Sequence, residues 1–221
     1  MRLLILIMAL ININLQGQIS KETTATYLAL GDSYTIGEQV NESDRFPVQL
    51  VARLNELNFK LKAPKIIART GWTTSDLIHA IDNAKMVNEK FDIVSLLIGV
   101  NNQYRNGSPE VYRKELKYLL ERAIAYGKNN PKNIFVVSIP DWGITPFGKK
   151  SQRLNISSEI ELFNKVLEEE TGKLNISFID ISPISYLSET NSNLLARDGL
   201  HPSGEMYKLW VEKIVSSLLK K

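Results

Sequence analysis

The 221-residue chain contains no cysteine. Disulfides, thiolate nucleophiles, cysteine-ligated metals and a lipid-bearing N-terminal cysteine are therefore excluded, and the fold must be held by its core alone. Histidine is nearly as scarce, with His79 and His201 the only two. A large excess of one charge is missing too. The net charge is +3, and basic runs do not exceed short pairs such as Lys149-Lys150, so nothing points to nucleic acid as a partner. There is no internal repeat, low-complexity tract or domain linker. No glycine-rich phosphate loop with its lysine is present. Beyond the N-terminus no apolar run is long enough to read as a transmembrane helix.

What is present has the balance of a folded protein: 43% hydrophobic and 23% charged residues, a mixture that argues against disorder. The length suits one domain with a full core. Met1-Arg2 followed by the apolar run Leu3 to Ile11 reads as a secretory signal peptide. A buried N-terminal strand or helix is the alternative. With cleavage near Gly17 or Gln18, residues 1–18 are the expected signal and 19–221 the mature domain, exported to a periplasmic or extracellular space.

Short apolar strands then alternate with amphipathic helices. Strands are predicted at Tyr27–Leu30, Lys65–Ala68, Ile93–Ile98, Ile134–Ile139 and Ile176–Ile181. Helices are predicted at Pro47–Leu57, from a Thr74 or Ser75 cap to Ile81, at Pro109–Tyr126 after a Ser108 cap, from Ser157 or Ser158 to Thr171, and at Ser203–Leu219, with Leu209 on its apolar side. The alternation implies an α/β protein, a three-layer α/β/α sandwich around a five-stranded parallel sheet. In such folds the working site lies beyond the carboxyl ends of the strands. Asp141 to Ile156 reads as the longest irregular stretch, a cleft border or a surface loop.

The strand ends and one C-terminal loop carry the chemistry. Gly31-Asp32-Ser33 follows the first strand, Gly71 the second and Gly99-Val100-Asn101-Asn102 the third, while Asp198-Gly199-Leu200-His201 precedes the last helix. A serine hydroxyl needs a neighbouring base to become a nucleophile. His201, in a loop beside an acid, suits that role better than His79, which sits in an amphipathic helical stretch. Asp198, three residues earlier, can reach Nδ1 through a tight turn, or simply stabilise that turn. The N–H groups of Ser33 and Gly71 and the Asn101 amide are candidate donors to an oxyanion. Asn101 can equally be a loop residue bonded to its own backbone.

The order Gly31-Asp32-Ser33-Tyr34, Gly71, Gly99-Val100-Asn101-Asn102, Asp198-Gly199-Leu200-His201 resembles the four sequence blocks of the SGNH (GDSL-type) hydrolases and spans nearly the whole mature chain. The resemblance implies a flavodoxin-like sandwich with strand order 2-1-3-4-5 and metal-free ester hydrolysis without a cofactor. It implies Ser33 as nucleophile, His201 as base then acid, Asp198 as its orienting carboxylate, and Ser33, Gly71 and Asn101 as the oxyanion hole. Tyr34 replaces the family's leucine, and Asn102 replaces an aspartate that commonly follows the asparagine.

Asn102, Tyr104 and Trp142 are expected to contact substrate, with Arg105 and Phe147 helping to shape the pocket. The expected substrates are small-molecule, carbohydrate or lipid esters: short acyl esters such as acetylated carbohydrate, or lysophospholipid. Two other readings remain: a catalytically silent carbohydrate- or lipid-binding module on the same fold, and a flavodoxin-like phosphate or nucleotide binder at the Gly31 to Thr35 turn.

Overall fold

The computed structural model describes residues 24–86 and 88–220. The expected signal segment, 1–18, lies outside the described residues. Strands β1 (Tyr27–Gly31), β2 (Lys65–Ala68), β3 (Ile93–Leu97), β4 (Ile134–Val137) and β5 (Ser177–Ile179) form one sheet in the order β2-β1-β3-β4-β5. Every pairing is parallel, with Leu28 opposite Lys65, Tyr27 opposite Ile93, Val94 opposite Ile134 and Phe135 opposite Ser177. The three inner strands are buried along their whole length, as expected when helices cover both faces of a sheet, and β2 at the edge is partly exposed.

The helices are α1 (Ser33–Ile36), α2 (Phe46–Glu56), α3 (Thr74–Asn83), α4 (Val100–Tyr104), α5 (Pro109–Tyr126), α6 (Pro146–Lys150), α7 (Ile156–Lys173), α8 (Ser182–Ser185) and α9 (Gly204–Leu219). Helix α2 packs on α9, while α3 packs on α5 and α5 on α7, which supplies the two outer layers. Among the described residues no helix is long and apolar enough to cross a membrane.

The fold class and strand order agree with the sequence reading; several boundaries do not. Helix α3 is capped by Thr73, not Thr74 or Ser75. The Thr73 hydroxyl accepts from the Asp76 N–H while the Asp76 carboxylate accepts from the Thr73 N–H, a reciprocal capping box. Helix α7 starts at Ile156, behind Asn155 in the left-handed conformation (φ 64°), without a serine cap. The stretch from Asp141 to Ile156 contains α6. Leu209 points outward, 38% exposed. Helices α1, α4, α6 and α8 span one turn or little more, too short for a 3.6-residue period to register in a sequence.

One buried contact fixes α9 against α1. The Tyr207 hydroxyl donates to the Tyr34 carbonyl at 3.0 Å, and Tyr34, Phe46, Tyr207 and Trp210 pack their rings together. Tyr207→Phe deprives that carbonyl of this partner. The expected loss is about 1–2 kcal/mol, seen in thermal unfolding as a fall of about 2–8 °C for a chain of this size.

Candidate active site

Ser33 follows β1 directly and opens α1. Asp32 is the helix N-cap, and its carboxylate accepts from the Tyr34 N–H at 3.1 Å. The turn into α1 is so tight that a Cβ at position 31 would drive into the Thr35 side chain and the Leu97 carbonyl, so Gly31 is required. At the first position of a helix the Ser33 N–H has no intrahelical carbonyl to serve.

His201 is brought in by the loop before α9. His201 Nδ1 lies 2.6 Å from Asp198 Oδ2. Asp198 Oδ1 accepts from the backbone N–H of Leu200 at 2.9 Å and of His201 at 3.0 Å. The carboxylate therefore fixes both the imidazole and the turn that carries it, satisfying both roles the sequence left open. Burial alone would raise the Asp198 pKa. The hydrogen bonds from His201 and the two backbone N–H groups, with the imidazole's Coulombic pull, hold it below the usual carboxylate range. The loop is anchored from outside as well: Ala196 N–H donates to the His201 carbonyl at 2.8 Å, and Phe147 N–H in α6 donates to the Gly199 carbonyl at 3.1 Å.

Gly71 occupies the third position of a turn from Arg69 to Trp72, closed by Trp72 N–H to the Arg69 carbonyl at 3.2 Å. Its φ of +83° matches a type II turn, which favours glycine there. Arg105 donates to the Gly71 carbonyl at 2.7 Å, and Asn101 Nδ2 donates to the Trp72 carbonyl at 2.9 Å. Residues 101 and 105, one helical turn apart, thus tie α4 to the loop after β2. Asn101 keeps its second amide hydrogen for another acceptor.

These elements surround one largely apolar cleft of about 170 Å³, lined by Ser33, Tyr34, Thr70, Gly71, Val100, Asn101, Tyr104, Trp142, Phe147, Leu200 and His201. The structure thus gathers Ser33, Gly71, Asn101, Tyr104, Trp142 and His201 at one place, with Asp198 behind the imidazole. Tyr34 packs beside the His201 ring, centroids 5.6 Å apart. Asn102 stands elsewhere. It is buried, its Oδ1 accepts from Thr74 N–H at 3.0 Å, and its Nδ2 donates to Thr74 Oγ1 at 2.7 Å, joining α4 to α3 away from the cleft lining. His79 is exposed on α3. A larger groove of about 780 Å³ runs between α2 and α9, but it is lined mainly by charged and polar side chains and holds neither Ser33 nor His201. Among the described residues, no group of three or more His, Asp or Glu side chains is set to hold a metal ion.

The sequence model of the GDSL-like lipase/acylhydrolase family matches residues 29–209. The chain belongs to this family and is an ester-bond hydrolase. Similar solved structures include a lipase/acylhydrolase from Enterococcus faecalis (22% identity, 89% of this chain and 96% of that one, TM-score 0.69). A phospholipase A1 from Streptomyces albidoflavus NA297 is 18% identical over 88% of this chain and 100% of its own, with TM-score 0.66. An acetylxylan esterase from Geobacillus stearothermophilus is 16% identical over 88% and 94%, with TM-score 0.68. No curated protein sequence matches the chain.

Sequence reasoning passed over Gln103, whose amide oxygen accepts from the Trp142 indole at 2.8 Å, and Thr70, Val100 and Leu200 in the cleft lining. Val100 and Leu200 fall inside the blocks that carry Asn101 and His201, but nothing in local spacing marks Gln103, whose partner lies 39 residues away.

Asp32 is wholly buried, and its Oδ2 has no hydrogen-bond partner among the described residues. Burial pushes its carboxyl up to about 7, against the lowering effect of backbone N–H groups. A folded-state pKa above the unfolded one means the folded chain keeps a proton that the unfolded chain releases. The contribution to stability is fully present below about pH 4 and is lost as pH rises to about 7. Asp32→Asn keeps an oxygen for the Tyr34 N–H and removes this slope. Denaturant unfolding at pH 5 and pH 8 should show the variant gaining on the parent at the higher pH, by up to about 3 kcal/mol, since about two pKa units at 1.36 kcal/mol each separate pH 5 from the folded-state pKa of about 7.

Proposed function

We propose that the chain hydrolyses short-acyl carboxylic esters by a serine mechanism in this cleft. The observation that carries the reading is the 2.6 Å contact of His201 Nδ1 with Asp198. It supports a proton on Nδ1 and a basic Nε2, on a ring that shares the cleft with Ser33. An ester carbonyl lies over Ser33. His201 takes the hydroxyl proton as Ser33 Oγ attacks the carbonyl carbon. The negative oxygen is held by the N–H groups of Ser33 and Gly71 and the free amide hydrogen of Asn101. His201 protonates the departing alcohol, and water activated by the same imidazole releases the acid from the acyl-enzyme. Asp198 stays ionised throughout and stabilises the imidazolium.

The cleft supports a short acyl group. Its volume of about 170 Å³ is below the ~300–1,000 Å³ usual for ligand pockets, and its lining is largely apolar. An acetylated carbohydrate presents an acyl group of that size, whereas a lysophospholipid would have to leave most of its long acyl chain outside the cleft; an acetylxylan esterase and a phospholipase A1 are both among the proteins of similar fold. The N-terminal pattern supports export, which places such substrates outside the cytoplasm. A mature chain beginning near Gln18, recovered from periplasm or medium and read by mass spectrometry, is the expected result.

The test is hydrolysis of p-nitrophenyl esters from acetate to laurate. The parent enzyme should favour acetate to butyrate, and Ser33→Ala should abolish turnover; normal turnover in that variant would refute the mechanism. Asn101→Ala, with one oxyanion donor removed, should lose about 10²–10³ in kcat, measured under saturating substrate.

A further inference from the structure

The cleft has a direction. Three of the aromatic side chains that line it differ in exposure: Tyr104 is 49% and Phe147 38% exposed, while Trp142, packed against both, is 2% exposed. The Tyr104 and Trp142 ring centroids lie 5.4 Å apart, and those of Trp142 and Phe147 6.0 Å apart. Of these three rings the indole is the most deeply buried, with the other two more exposed on either side of it.

The indole is held from behind by a polar chain that does not line the cleft. Trp142 Nε1 donates to Gln103 Oε1 at 2.8 Å. An indole can only donate, so the Gln103 oxygen must face it and the Gln103 amide nitrogen must face the other way. There it meets Glu159 Oε2 at 2.5 Å. Arg153 donates to the same Glu159 oxygen at 2.6 Å, and to the backbone carbonyls of Gln103 at 3.0 Å and Tyr104 at 2.7 Å. Gln103 is itself 1% exposed. A buried amide with both ends engaged has one orientation, and it allows the indole one position.

We propose that Gln103, held by Glu159 and Arg153, is a positioning residue that sets acyl-chain length by locking Trp142 as the floor of the cleft. This rests on the reading of the cleft as the acyl site. Chain length is thereby decided by residues that never touch the substrate. A rigid floor discriminates sharply, since one methylene too many or too few in an apolar pocket changes kcat/KM by about 10–200-fold.

The experiment is the chain-length profile of kcat/KM on p-nitrophenyl esters for the parent, Trp142→Ala, Gln103→Met and Glu159→Gln. Trp142→Ala should move the optimum longer by about two to four carbons. Gln103→Met keeps the volume and removes the acceptor, and it should raise the octanoate-to-butyrate ratio about tenfold while turnover of acetate stays close to the parent's. Glu159→Gln, at a half-exposed position, should shift the ratio the same way by a smaller factor, and it serves if Gln103→Met fails to fold. A parent profile in the Gln103 and Glu159 variants, with Ser33-dependent activity intact, overturns the inference. A parent profile in Trp142→Ala overturns the floor itself. Absence of Ser33-dependent turnover on every ester overturns the underlying reading of the cleft, and the inference with it.

Discussion

A parallel sheet releases every strand's chain at the same edge, and the rest of this structure is arranged around that constraint. Strand β1 leads to Asp32 and Ser33, β2 to Thr70 and Gly71, β3 to Gly99 and Asn101, and β4 to Asp141 and Trp142. Residues scattered over more than a hundred positions are thus neighbours because the backbone hydrogen bonds of the sheet hold their strands in register. His201 comes from no strand end. Its loop is folded back onto that edge by the Ala196–His201 backbone contact, the Leu195–Pro202 bridge and the α6 contact at Gly199.

The edge is crowded, and the crowding falls on backbone as much as on side chains. Gly31 lies where a Cβ would strike Thr35 and Leu97. Gly99, at φ +131°, would press a Cβ against the Tyr112 ring and Ile139. The same crowding buries Asp32 beside Ser33, with one oxygen that has no partner among the described residues, an arrangement that costs stability at neutral pH. Conflicts of this kind with local preference are expected where a site must be assembled. Asp198 differs from Asp32 because both of its oxygens are engaged. The two acids, each close in sequence to a candidate reacting group, therefore titrate in opposite directions from the ordinary carboxylate.

The far wall of the cleft obeys a different logic. Trp142 is placed by a chain of hydrogen bonds through Gln103 to Glu159 and Arg153, from α4 across to α7. The near wall is placed by Arg105 and Asn101 on the loop after β2. Helix α4, little more than one turn long, therefore braces both sides: positions 101 and 105 reach one loop, and position 103 reaches the other. Asn102, between them, braces α3 through Thr74.

The amino-acid sequence by itself determined the sandwich, the five strands to within two residues or so, and the blocks around Ser33, Gly71, Asn101 and His201. These rest on short-range signals: apolar period, a tight glycine turn, an aspartate three residues from a histidine. The Asp198–His201 pair was legible because its partners are close along the chain. The sequence did not disclose the one-turn helices, whose length is below any periodic signal, nor the cap at Thr73. It did not separate Asn101, which lines the cleft, from Asn102, which does not, because consecutive helical residues face different ways. Gln103, Glu159 and Arg153 were invisible for the same kind of reason. A hydrogen bond between side chains 39 or 56 residues apart leaves no local mark, and only the packing of α4 against α7 and the β4 loop decides that it forms.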